Sequence, residues 1–150
     1  MNVIVIISML VFGVDQGIKA LVFSFLPYQR GQVMIPHFFE LLHVHNFGAA
    51  WNLFSGNRLF LIIVTFFFLG MIYYLFIDQK KLTGLSKVTM GLLIGGVLGN
   101  LGDRIFRGYV VDYLAFQFGA YHFPVFNIAD MCIVLAVALM IVETMRRKEA

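Results

Sequence analysis

The sequence predicts an all-α membrane protein with four transmembrane helices, a small β-like extracytoplasmic platform and both termini in the cytoplasm. Apolar residues make up 61% of the 150 residues, against about 45–50% in soluble domains. Charged residues are 13%, about half the usual share. Four apolar segments approach the roughly 20 residues that a helix needs to span a bilayer. We therefore expect one integral-membrane domain, residues 1–150, in contact with membrane lipid.

The predicted spans are about 3–25, 59–77, 88–105 and 126–145. The first, Val3–Phe25, lacks the basic start and the small-residue cleavage site of a signal peptide. It also carries Asp15 and Lys19, so we interpret it as a retained helix. The third is short by hydropathy, but its glycine-rich sequence continues to Arg104 or beyond.

The distribution of basic residues predicts the orientation, because short cytoplasmic loops are enriched in lysine and arginine. The connections of about 26–58 and 107–125 are therefore expected to face outward. The basic residues on the other side are Lys80, Lys81 and Lys87 in the middle connection, and Arg146, Arg147 and Lys148 in the C-terminal tail.

The outward connections contain two segments with strand-like composition. Phe38–Asn46 and Tyr109–Tyr113 are rich in aromatic and β-branched residues, so we expect them to pair. The alternative for most of these aromatic residues is an interfacial belt that only anchors the helices.

Several classes of partner and cofactor are disfavoured. The net charge is only +3 and no basic cluster resembles a nucleic-acid footprint. Cys132 is the only cysteine, which excludes an internal disulfide and a cysteine-based zinc pattern. His43 and His45 would share one face of a strand, but no third ligand has suitable spacing. We expect no metal and no cofactor.

Polar residues inside the spans are candidates for function, since ionisable groups at membrane depth are costly. Asp15 and Lys19 lie four residues apart and share a helix face. They are either a self-neutralising pair that holds the bundle together or the lining of a polar cavity.

The third span carries two adjacent stripes. Gly91, Gly95 and Gly99 have the small-residue spacing of close helix packing. Next to them run Gly96, Asn100 and Arg104, which could present polar groups to a substrate. Asp103 is interpreted as a local charge partner of Arg104. The loop Asn46–Trp51, with Gly48, is either a turn or a place where another chain approaches closely.

Asp112 and Asp130 are the candidate catalytic groups. Two carboxylates brought together at a dry interface suffice for acid–base hydrolysis. Each has an alternative: Asp130 could complete a capping box with Asn127, and Asp112 could be an exposed strand residue. Two rival functions stay open, a transporter or proton conductor and a non-catalytic membrane subunit.

Five motifs, in order from the first helix to the last, resemble the lipoprotein signal peptidase (signal peptidase II) family. Ile18, Tyr113 and Trp51 depart mildly from the family pattern, which could alter the shape of the pocket. The motifs are Asp15-Gln16-Gly17-Ile18-Lys19, Asn46-Phe47-Gly48-Ala49-Ala50-Trp51, Gly99-Asn100-Leu101-Gly102-Asp103-Arg104, Gly108-Tyr109-Val110-Val111-Asp112-Tyr113 and Phe123-Pro124-Val125-Phe126-Asn127-Ile128-Ala129-Asp130.

The resemblance implies a monomeric aspartyl endopeptidase of the bacterial cytoplasmic membrane, with its active site at the outer face. It would remove signal peptides from diacylglyceryl-modified prolipoproteins by cleavage just before the lipidated cysteine. The family is sensitive to globomycin. Asp112 and Asp130 match its catalytic pair. Residues that match positions lining or supporting its substrate pocket are Asp15, Lys19, Asn46, Gly48, Asn100, Arg104, Asn127 and Ala129.

Overall fold

The computed structural model describes residues 2–76 and 82–149, so Ile77, Lys80 and Lys81 of the predictions above lie outside the described residues. The described residues form four α-helices, one 3-10 helix (Ala50–Asn52) and one four-stranded antiparallel sheet. The helices are α1 (Asn2–Phe25), α2 (Arg58–Phe76), α3 (Gly84–Phe106) and α4 (Ile128–Glu149). The strands are β1 (Gly31–Ile35), β2 (Phe39–Asn46), β3 (Val110–Phe118) and β4 (Tyr121–His122), in that order across the sheet.

Three of the helices in the described part of the chain are long and apolar enough to cross a membrane: Val3–Phe25, Gly84–Phe106 and Ile128–Arg146. The apolar stretch of α2 described here, Arg58–Tyr74, is shorter. A multi-pass membrane protein is therefore supported, and the second of the four predicted spans stays a prediction.

Two helix starts differ from the sequence prediction. α3 begins at Gly84 rather than near Val88, because the Thr83 side chain caps it by accepting a 3.0 Å hydrogen bond from the Ser86 backbone N–H. Hydropathy does not detect such a polar first turn. α4 begins at Ile128 rather than Phe126, since Phe126 forms an isolated β-bridge with Leu114.

The glycines of α3 let it pack closely between α1 and α4, as their spacing predicted. A Cβ added at Gly91 would lie 2.6 Å from Ile7, and one at Gly95 would lie 2.7 Å from Val11. On the other side, a Cβ at Gly96 would lie 2.5 Å from the Ala129 carbonyl oxygen. The polar stripe of α3 is thereby held against the first turn of α4.

The sheet confirms the predicted pairing and extends it. β2 pairs with β3 in a register that sets Val44 opposite Asp112 and Asn46 opposite Val110. Val111 and Tyr113 of β3 are buried in a cluster with Val22 of α1. This packing attaches the sheet to the helices at the level of Asp112.

Candidate active site

Asp112 on β3 and Asp130 in the first turn of α4 meet at one residue, Asn127. The side-chain amide of Asn127 donates a 2.7 Å hydrogen bond to Asp112 Oδ1. Its backbone N–H donates a 3.2 Å bond to Asp130 Oδ2. Asp112 is 3% exposed, Asn127 is fully buried and Asp130 is half-buried. The fold therefore brings the two aspartates to the same site.

Asn127 and Asp130 also form the capping box that the sequence suggested. Asn127 Oδ1 accepts a 3.0 Å hydrogen bond from the Asp130 backbone N–H, while Asp130 Oδ2 accepts from the Asn127 backbone N–H. Such a reciprocal pair satisfies donors at the start of a helix. It uses one oxygen of Asp130 and leaves Oδ1 for other partners, so capping and a site role are compatible.

The second oxygen of each carboxyl group also accepts from an amide. Asn46 Nδ2 donates to Asp112 Oδ2 at 2.9 Å, and Asn100 Nδ2 donates to Asp130 Oδ1 at 2.7 Å. Three asparagines from the end of β2, from α3 and from the cap of α4 thus orient both carboxyl groups.

Burial, and after it the nearby charge of Asp130, raise the pKa of Asp112 to about 7. The hydrogen bonds from Asn46 and Asn127 oppose this rise because they stabilise the ionised form. A pKa raised toward neutrality suits a group that must exchange protons.

A second polar cluster lies behind the aspartates and is fully buried. Lys19 Nζ lies 2.8 Å from Asp15 Oδ2 and 2.8 Å from Asp103 Oδ2. The predicted pairing of Asp15 with Lys19 is confirmed. Asp103 interacts electrostatically with Arg104, as expected, but its salt bridges are with Lys19 and Arg107. Adjacent residues point in directions about 100° apart on a helix, so Asp103 faces α1 and Arg104 does not.

Arg104 holds the loop after β2. Its Nη2 donates a 2.7 Å hydrogen bond to the Gly48 carbonyl oxygen, and its guanidinium interacts electrostatically with Asp130 and Asp112. A Cβ at Gly48 would lie 2.6 Å from backbone atoms of Asn52 and Leu53. The space beside Gly48 is thus filled by its own loop, as the turn interpretation predicted.

Sequence reasoning missed Gln16 and the roles of Arg107 and Tyr113. Gln16 Nε2 donates to Asp103 Oδ1 at 3.2 Å, and its Oε1 accepts from Arg107 Nη1 at 2.8 Å. The buried Tyr113 hydroxyl accepts from the Ile128 backbone N–H at 3.3 Å. A polar amide inside an apolar span was the available signal for Gln16.

His43 and His45 share a face of β2, as alternation along a strand predicts. Their Nε2 atoms are 3.2 Å apart, and His43 Nδ1 lies 2.8 Å from the Leu26 carbonyl oxygen. Because a carbonyl oxygen only accepts, His43 Nδ1 carries the proton of that bond. Within residues 2–76 and 82–149, no group of three or more potential metal ligands converges.

The sequence is similar to those of known proteins over most of its length. A family profile described as "Signal peptidase (SPase) II" matches residues 7–146. A lipoprotein signal peptidase of Vibrio campbellii is 36% identical over 149 residues, which cover 96% of this chain and 89% of the relative. One from Symbiobacterium thermophilum is 37% identical over 137 residues, covering 91% and 90%.

The fold also matches solved structures of bacterial membrane enzymes obtained by the in meso method. One has a TM-score of 0.90 at 32% identity and covers 99% of this chain and 90% of its own. Another has a TM-score of 0.85 at 33% identity, with 96% and 93% covered. The family profile, the relatives and the fold agree over nearly the whole chain, which therefore belongs to the signal peptidase II family and is a membrane-embedded aspartic peptidase.

Proposed function

We propose that this chain is an aspartyl endopeptidase that removes the signal peptide from diacylglyceryl-modified prolipoproteins, cleaving just before the lipidated cysteine. Membership of the family supports cleavage of prolipoprotein signal peptides and disfavours the transporter and non-catalytic alternatives. The observation that carries the catalytic assignment is the bridge by Asn127 between Asp112 and Asp130.

In this mechanism the two carboxyl groups share one proton. Two close carboxylates cannot both ionise cheaply, and a pKa of Asp112 near 7 supports the singly protonated state at neutral pH. The ionised carboxylate takes a proton from water, whose oxygen attacks the scissile carbonyl carbon. The neutral carboxyl group donates its proton to the carbonyl oxygen. As the tetrahedral intermediate collapses, the C–N bond breaks and the carboxyl group that took the proton from water gives it to the departing amine nitrogen. The other carboxylate takes a proton from a hydroxyl group of the intermediate, so the pair again holds one proton.

The pair titrates as a unit, so either aspartate can serve as the base in this scheme. Asn46, Asn100 and Asn127 fix the carboxyl groups through the four hydrogen bonds given above. Arg104 is a cation close to both aspartates and is well placed to stabilise negative charge that develops on the substrate. Four further residues support the site: Asp15, Lys19, Gly48 and Ala129.

We propose further that the enzyme works as a monomer with its site at the outer face of the bacterial cytoplasmic membrane. The bias of lysine and arginine supports cytoplasmic termini. The loop residues Trp51 and Phe54 are largely exposed, at 71% and 57%. Such exposed aromatic side chains are typical of the membrane–water interface. The lipid chains of the substrate could then stay in the bilayer while its peptide reaches Asp112 and Asp130.

The test is cleavage of a lipidated and an unlipidated precursor by the purified protein. We expect cleavage of the lipidated precursor alone, and loss of cleavage in Asp112→Asn and in Asp130→Asn. Glu40→Gln is a matched acid-to-amide control on β2 and should keep wild-type turnover. Near-normal turnover by either aspartate variant would refute the catalytic assignment, and equal cleavage of both precursors would refute the substrate assignment.

A further inference from the structure

The residue immediately before each candidate catalytic aspartate donates its backbone N–H to a buried carboxylate. Val111, which precedes Asp112, donates a 3.1 Å hydrogen bond to Asp103 Oδ2. Ala129, which precedes Asp130, donates a 3.2 Å bond to Asp15 Oδ1. Each aspartate is therefore carried by a backbone segment that is anchored one peptide unit away.

The two anchoring carboxylates are joined by one cation. Lys19 Nζ lies 2.8 Å from an oxygen of Asp15 and 2.8 Å from an oxygen of Asp103, and all three side chains are fully buried. Two backbone segments, one in β3 and one in α4, are thereby tied to a single ammonium group on α1.

Lys19 also determines how one amide is oriented. Its Nζ lies 3.0 Å from Asn100 Oδ1. An ammonium group has donors and no acceptor, so the oxygen of Asn100 must face Lys19. The Asn100 amide nitrogen is then left to donate to Asp130 Oδ1 at 2.7 Å.

The charges make this arrangement hard to deform. Asp15 and Asp103 carry two negative charges, and Lys19 and Arg107 supply two positive ones, so the cluster is neutral. Removing one partner of a buried ion pair leaves a charge uncompensated. Asp15, Lys19 and Asp103 are fully buried, so bulk solvent does not screen the repulsion between the two carboxylates, and Lys19 offsets it.

We infer that Lys19 is a positioning residue that sets the separation of Asp112 and Asp130 by holding Asp103 and Asp15, the anchors of their backbone segments. This inference rests on the proposed function, because it takes the two aspartates as the catalytic pair. Lys19 itself is fully buried and acts through its contacts with Asp15, Asp103 and Asn100.

A substitution that changes no charge gives the first test. In Gly99→Ala the new Cβ would lie 2.6 Å from Asp15 Oδ2 and 3.2 Å from the Ala129 Cβ, so Asp15 has to move. Gly102→Ala is the matched control, because its Cβ would meet only two ring atoms of Phe12, the nearer at 3.3 Å. A displacement of about 1 Å in a reacting group can cost about 100-fold in rate. We expect a loss of kcat of about that size in Gly99→Ala, with KM nearly unchanged and the control close to wild type.

A second test removes the bridging cation. Lys19→Met and Arg107→Met each take one positive charge from Asp103, but only Lys19 also contacts Asp15. The readout is the pH profile of kcat, scaled to its own maximum. The shape of this scaled profile does not depend on how much of the protein is folded. Loss of the Lys19 charge by itself raises the pKa of Asp112 and moves the profile upward, so the readout is the distance between the two limbs. If Asp15 and Asp103 separate without Lys19, Asp112 and Asp130 also move apart and repel each other less, and the two limbs should move closer together in Lys19→Met. The profile of Arg107→Met should keep the wild-type shape.

The outcomes separate this inference from the proposed function. If the wild-type protein does not cleave the lipidated precursor, the proposed function fails. If the wild type cleaves it and both Gly99→Ala and Lys19→Met keep the wild-type kcat and pH profile, the positioning role of Lys19 is overturned. A scaled profile that stays unchanged in Lys19→Met while kcat falls would also overturn it, because that result indicates only loss of folded protein.

Discussion

Asn127 donates a 2.7 Å hydrogen bond from its side-chain Nδ2 to Asp112 Oδ1, while its Oδ1 accepts the backbone N–H of Asp130. One amide group therefore holds the strand that carries the first aspartate to the helix that carries the second. The two halves of this amide have separable consequences, because one is a donor to a carboxyl group and the other is a helix cap.

Asn127→Ser should keep the cap and lose the donor to Asp112, since a serine hydroxyl also caps helices well. A hydrogen bond to a charged group contributes about 1.5–3 kcal/mol, so we expect kcat to fall by about 10- to 100-fold. Asn127→Ala should lose the cap as well and be less stable than Asn127→Ser by about 1 kcal/mol. Turnover and thermal unfolding of both variants check this. A serine variant with wild-type kcat would contradict it.

Asn46→Leu should move the pH dependence of activity upward. Asn46 Nδ2 donates to Asp112 Oδ2 and holds the pKa of Asp112 lower than burial alone would. Without this donor the ionised form is less stable, so the pKa of Asp112 rises above about 7. The pH profile of kcat/KM measures the shift. The control is Gln117→Leu, which removes an amide that donates to the Gly119 carbonyl oxygen at the far end of β3 and should leave the profile unchanged. A downward shift of the profile in Asn46→Leu would contradict the prediction.

Asp112→Asn should stabilise the protein more at pH 8 than at pH 5. The pKa of Asp112 in the folded protein is about 7, above its ordinary value of 3.8. Such a group lowers stability as the pH rises from about 3.8 through 7, because the folded state must release a proton it holds more tightly. Removing the carboxyl group removes this cost, which is at most about 4 kcal/mol. Thermal unfolding at the two pH values tests the sign, and a larger gain at pH 5 would contradict it.

Thr89→Val should stabilise the protein. The Thr89 hydroxyl in α3 is buried and has no hydrogen-bond partner among the described residues. An unpaired buried hydroxyl costs about 1–3 kcal/mol, and valine has nearly the same shape without it, so we expect a gain of about 1 kcal/mol.

Thr65→Val is the matched control for that prediction, because the Thr65 hydroxyl in α2 donates a 2.7 Å bond to the Leu61 carbonyl oxygen. It should give no gain under the same detergent conditions. A valine at position 89 that lowers the melting temperature would refute the prediction.

Much of the fold was accessible from the sequence because its signals are local. Hydropathy located α1 and α4 closely, since a spanning helix must be apolar along its length. Aromatic and β-branched composition located the pairing of β2 with β3. Predictions of helix boundaries were less accurate. The side chain of Thr83 caps α3, and such a polar cap contributes little to hydropathy.

The site was predicted in its residue types and not in its contacts. Asp103 was expected to be a charge partner of Arg104, its neighbour in sequence, and does interact with it electrostatically, but the salt bridges of Asp103 to Lys19 and Arg107 were not predicted. Gln16 was overlooked, although it joins Asp103 to Arg107. These contacts were missed for the same reason: the direction of a side chain in a helix bundle depends on which neighbour packs against that face.

The order of polar motifs along apolar spans was enough to determine the family, the candidate aspartates and most of the supporting residues. Those properties depend on residue identity and spacing, which the sequence gives directly. Tertiary structure alone decided that Lys19 ties Asp15 to Asp103, and that these carboxylates hold the backbone beside Asp130 and Asp112. Ala129 and Asp15 are 114 residues apart. Every residue except proline has a backbone N–H that can donate a hydrogen bond, so residue identity does not reveal which N–H is used.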